Sequence, residues 1–159
     1  MIVVVALQHV ALDPRVRGLC LRPYPGHPRG CPNFKLKPGC PPGAPLLDAV
    51  LCGASPVWAI INDHDLAAHA ARLRARHPGW TDRQLRCCRY WQGTARARLE
   101  VEIAAFKAAH PECVVVRCPE ALGVDVTATL RAAGVDLEWP PVIIARQVAL
   151  AGTPASNSA

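Results

Sequence analysis

The stretch Pro56-Val57-Trp58-Ala59-Ile60-Ile61 is short, apolar and rich in β-branched and aromatic residues, and it reads as a strand. Upstream, Met1 to Leu12 has the same character over a longer run and reads as a second, buried strand. Downstream, Asp63 stands where a helix N-cap would, and residues 65 to 77 carry alanine, leucine and arginine in helical proportion until His77-Pro78-Gly79. Thr81-Asp82-Arg83-Gln84 has capping-box form. Leu85, Cys88, Gln92, Ala95, Leu99, Ile103 and Phe106 then recur at intervals of three and four, which predicts one long helix bent at Gly93. Cys113 to Cys118 reads as a strand, Val124 to Ala133 as a short helix closed by Gly134, and Val142 to Leu150 as a last strand. The alternation predicts an α/β or α+β fold: a single layered domain over residues 1 to 151, with a central sheet and flanking helices. Residues 152 to 159 are small and polar and are expected to form a flexible C-terminal tail.

A chain of 159 residues can bury a real core, so its eight cysteines are not needed to staple a mini-protein together. The first residues lack a basic leading region and a cleavage site, and no run approaches the roughly 18 apolar residues that span a bilayer. These features predict a cytoplasmic protein with no membrane partner. In a reducing compartment, metal binding or catalysis outranks a disulfide framework as the use of cysteine. The 18 Lys and Arg exceed the 12 Asp and Glu by six, a moderate excess that a solvated basic surface accounts for. A phosphate-bearing partner such as tRNA, or a nucleotide-like anionic substrate, is the other use of such a charge.

Between the first two strands the composition changes. From Cys20 to Pro45 there are eight prolines and four glycines, too many for helix or central strand. Long loops of this kind are usually functional or disordered, and this one carries Cys20, Cys31 and Cys40 with ten and eight residues between them. The close Cys-x-x-Cys pairs of most structural zinc sites are missing. Cys31, Cys40 and Cys118 are each followed by proline, as is the last ligand of the bacterial ferredoxin run. Cys118 closes the predicted strand from 113, at the kind of strand end where sites gather in layered folds, and is the natural fourth member. Cys52, Cys87, Cys88 and Cys113 read as packing residues, and the adjacent Cys87 and Cys88 should point to different helix faces. His27, inside Pro-Gly-His-Pro, reads as a turn residue more than a ligand. His64, His69, His77 and His110 read as ordinary surface residues, and Trp80, Tyr90 and Trp91 as core packing.

Two blocks resemble a family of uncharacterised small cysteine-rich proteins of bacteria, archaea and phages described as predicted metal-binding. One is Gly30-Cys31-Pro32-Asn33-Phe34 followed by Cys40-Pro41-Pro42 and preceded by Cys20; the other is Pro119-Glu120-Ala121-Leu122-Gly123-Val124-Asp125-Val126, continuing to Gly134. The family often has a further cysteine-rich block before the second element, where this chain keeps only Cys113 and Cys118. What the resemblance implies is metal binding by cysteine, with iron–sulfur as the favoured content and no established reaction.

The leading expectation is one [4Fe–4S] cluster on Cys20, Cys31, Cys40 and Cys118, since thiolates suit such clusters. The alternative is a zinc or iron–sulfur module that braces an interaction surface or carries electrons. With three thiolates only, one iron stays open, and the expected chemistry is sulfur removal or transfer on a nucleobase or tRNA. Glu120 is then the candidate proton donor, and Arg22 and Arg29 the candidate phosphate contacts.

Overall fold

The structure, a computed structural model, describes residues 2–24, 26–53 and 55–156. Among them, four strands form one antiparallel sheet: β1 (Ile2–Leu7), β2 (Val57–Asp65), β3 (Val114–Val116) and β4 (Ile144–Gly152), in the order β1-β2-β4-β3. Helices α1 (Leu66–Arg76), α2 (Asp82–Leu85), α3 (Gln92–Ala109) and α4 (Val126–Ala132) complete an α+β domain built around that sheet.

The sheet is apolar on both sides because β2 and β4 are flanked on both edges and covered on both faces. Ala59, Ile61, Leu150 and Val116 pack on one face against Leu47, Leu51, Leu122, Val124 and Leu130, from the proline-rich segment and the α4 region. Ile60, Ala149 and Ala151 look the other way, onto Leu99, Ile103 and Phe106 of α3. Their spacing of four and three is what puts these three side chains on one helical stripe. Asn62, buried at the same face, donates from Nδ2 to the Ala95 carbonyl at 2.9 Å and so ties the first turns of α3 to the sheet.

Three local readings are corrected. The cap of α1 is Asp65, whose carboxylate accepts from the Ala68 N–H, because β2 continues to that residue. Asp63 lies inside the strand opposite Arg146, and the two form an ion pair at 2.9 Å. The capping box at Thr81 and Gln84 is present, but α2 ends at Leu85 and α3 starts at Gln92. The break falls at residues 86–91, where Trp91 turns into the core and donates from Nε1 to the Arg86 carbonyl, and not at Gly93. The expected tail is held as far as Ala155: Gly152 ends β4, Pro154 bridges Leu51 and Ala155 N–H donates to Val50. Residues 157–159, the rest of that tail, lie outside the described residues.

Candidate metal centre

Cys20 sits near the end of a 3-10 helix, Pro14–Leu21, whose start is fixed by Asp13 accepting from the Arg15 N–H. The residues just before this helix are laced to the chain after β3. Asp13 N–H donates to Gly123, Asp125 N–H donates to Ala11, and Ala11 N–H donates to the Thr129 hydroxyl. This lacing lays the helix of Cys20 beside a second 3-10 helix, Pro119–Leu122, which Cys118 precedes as its N-cap residue and which contains Glu120. A separation of almost a hundred residues in sequence is thereby closed.

Cys31 is brought to Cys20 directly. Its N–H donates to the Cys20 carbonyl at 2.7 Å, across a crossing that only glycine at position 30 permits. Gly30 has φ +82, and a Cβ there would lie 2.6 Å from the Cys20 carbonyl oxygen. Cys40 is attached by Arg17, which lies on the same 3-10 helix as Cys20. The Arg17 guanidinium donates at 2.8 Å to the Pro42 carbonyl and at 2.7 Å to the Ala44 carbonyl. The segment between is a chain of turns: Phe34 N–H to Cys31, Leu36 N–H to Asn33, Cys40 N–H to Lys37, Lys35 N–H to Pro41 and Ala44 N–H to Cys40. Composition excluded helix and strand from this loop, yet backbone hydrogen bonds run through it.

The four thiols and Glu120 form one electrostatic neighbourhood. Burial pushes the Cys20 thiol up, and Cys31, Cys40, Glu120 and Cys118 each push it further. Cys118 keeps an exposed face, yet the protein packed around its sulfur raises its thiol first, with the charge of Glu120 next, Arg96 opposing, and Cys40 and Cys31 adding. Glu120 is half-buried as a residue while its carboxyl is enclosed; desolvation raises it, against a hydrogen bond from its own backbone. Tyr24 is pushed up to about 12 by burial first, then by Cys31 and Cys88.

The thiols share a neighbourhood but do not converge on an ion-sized point: among the described residues no group of three or more His, Cys, Asp or Glu is placed to hold one metal ion. A lone zinc, at about 2.3 Å from each sulfur, requires such convergence. A cluster offers its irons at the corners of a larger body, and an all-thiol donor set suits it.

The remaining candidates lie apart or elsewhere. Arg22 and Arg29 are exposed, and the cations that interact with Cys118 include its neighbour Arg117, paired with Glu100, and Arg96 of α3, a residue whose place in sequence gave no sign of it. His27 packs its ring on Tyr24, centroids 4.9 Å apart, and pairs its backbone with that residue. Cys113 is buried beside Ile103 and Phe106, and Cys52 is half-buried. Cys87 and Cys88 depart from expectation. They fall in the break before α3, and both sulfurs reach the same glycine, Gly26. His64 and His69 are buried, 6 % and 9 % exposed, not on the surface. No protein-family model matches the chain, and no curated protein or solved structure matches it. The kinship suggested by the two blocks rests on those residues alone.

Proposed function

We propose that the protein binds one [4Fe–4S] cluster through Cys20, Cys31, Cys40 and Cys118. The observation that carries this reading is the hydrogen bonding that gathers the four: Cys31 N–H on the Cys20 carbonyl, Arg17 on the Cys40 turn, and Asp13 on Gly123, beside the short helix that Cys118 precedes. Bound there, a cluster supplies an electron-accepting centre and, where one iron lacks a protein thiolate, a Lewis acid for a sulfur atom.

The exposed face of Cys118 beside an enclosed Glu120 favours a reactive site over a buried brace. Glu120 holds a proton to higher pH than an exposed carboxyl would, which suits a proton donor, and it stands next to the thiol that faces solvent. In this version Cys20, Cys31 and Cys40 alone would hold the cluster, one iron would stay open beside Cys118, and the substrate is a thiolated nucleobase or tRNA from which sulfur is removed or transferred. Arg96, with the exposed Arg22 and Arg29, supplies positive charge for its phosphates.

The reading is tested with single serine variants purified without oxygen. Cys20→Ser, Cys31→Ser and Cys40→Ser should each lose most of the iron and sulfide, while Cys52→Ser and Cys113→Ser keep them. Equal metal content in all five would refute the assignment. Zinc without sulfide in the wild type would support the bracing module in its place.

A further inference from the structure

We propose that Cys87 and Cys88 form a second site, a dithiol that takes a soft monovalent cation of the copper(I) class. This site is independent of the cluster reading, since it shares none of the four cysteines above.

Cys87 and Cys88 lie outside α2 and α3, joined through extended backbone at Cys87, φ −59 and ψ 125. Facing them is the turn closed by the paired backbones of Tyr24 and His27. At its tip Gly26 has φ +98, and the place its Cβ would fill lies 2.8 Å from the Cys88 sulfur and 3.1 Å from the Cys87 sulfur. Gly26 therefore packs directly on both sulfurs, a close approach that any side chain at this position would block. The sulfurs lie no farther apart than about 6 Å, against the ~4.6 Å that two metal–thiolate bonds of about 2.3 Å span.

The surroundings select the ion. Cys88 is 6 % exposed and packs with Leu66, Trp91, Ala95 and Tyr24, an apolar wall, and among the described residues no third His, Cys, Asp or Glu joins the pair. Zinc takes four ligands and calcium or magnesium takes oxygens, so neither is satisfied here. Copper(I) is soft, prefers thiolate and is content with two. Its binding breaks two S–H bonds and forms two Cu–S bonds, releases two protons to solvent and changes no oxidation state. The product carries one net negative charge, and the two cations that act on Cys88 are Arg89 and Arg96.

The test is a copper(I) titration of the reduced, metal-free full-length protein against a chromophoric chelator. Cys87→Ser, at a half-buried position, and Cys88→Ser should each bind one equivalent fewer than wild type. Gly26→Ala keeps both thiols but drives a methyl group against both sulfurs and so displaces them, and should weaken that equivalent at least tenfold. In a chain with Cys20, Cys31, Cys40 and Cys118 all replaced by serine, X-ray absorption at the copper edge should report two sulfur neighbours and no nitrogen or oxygen. Unchanged stoichiometry in both serine variants, unchanged affinity in Gly26→Ala, or copper held by other atoms would each overturn the proposal. Loss of iron from the Cys20, Cys31 and Cys40 variants bears on the cluster alone.

Discussion

The N–H of Cys31 donates a 2.7 Å hydrogen bond to the carbonyl of Cys20, and Gly30 is the residue that lets the two strands of the loop come that close. Gly30→Ala forces a side chain into the left-handed region and into the Cys20 carbonyl. The expected cost is about 1–3 kcal/mol for the backbone alone. Metal content should fall several-fold while far-ultraviolet circular dichroism changes little, because the sheet lies elsewhere. Wild-type loading in this variant would separate the crossing from the metal site.

Arg17 holds the Cys40 turn to the helix of Cys20 through two bonds to backbone carbonyls. Arg17→Gln should cost about 1.5–3 kcal/mol, the range for hydrogen bonds from a charged group. The loop should then open locally: trypsin should cut after Lys35 several times faster than in wild type. Chelation should produce the same cleavage in the wild-type protein to the extent that metal, and not the turn hydrogen bonds, orders the segment.

His64 and His69 face each other with ring centroids 5.8 Å apart, and His64 stacks on Trp91. Neither nitrogen of His64 nor Nε2 of His69 has a hydrogen-bond partner among the described residues. Burial lowers both imidazoles; His69, Arg98 and Arg72 lower His64 further, Arg72 lowers His69, and Asp65 opposes at His64. The unfolded chain therefore binds protons that the folded one refuses. Stability should be full above the ordinary imidazole value of about 6.5 and fall as the pH drops below it towards the lowered folded values. Denaturant melts between pH 7.5 and pH 5 should show this decline, and it should be shallower in His69→Gln. Equal slopes in the two proteins would mean that another group carries it.

Much of the fold was legible because its signals are local. Val57 to Ile61 marks its strand by composition, Met1 to Leu12 holds one that stops at Leu7 and lies half-exposed at the sheet edge instead of buried, and Thr81 with Gln84 marks a helix start by hydrogen-bond chemistry. What composition could not tell is where tertiary contacts override periodicity. Cys88, Ala95 and Leu99 keep helical spacing across a real break, at which Trp91 enters the core. The cysteines were legible as a set, but not the means of gathering them: Arg17, Gly30 and the lacing of Asp13 to Gly123 act between segments far apart in sequence. Arg96 and the buried pair His64 and His69 were missed for the same reason, since exposure and neighbours are properties of the assembled sheet and helices.

The central claim, that four cysteines hold one [4Fe–4S] cluster, is tested most directly by iron and acid-labile sulfide analysis, with low-temperature electron paramagnetic resonance of the dithionite-reduced protein, on anaerobically purified wild type and Cys118→Ser. The account predicts about four irons and four sulfides per chain in the wild type, with a reduced-cluster signal that Cys118→Ser either abolishes with the metal or shifts. A wild-type protein without sulfide, or a Cys118→Ser variant identical to it in content and spectrum, would contradict it.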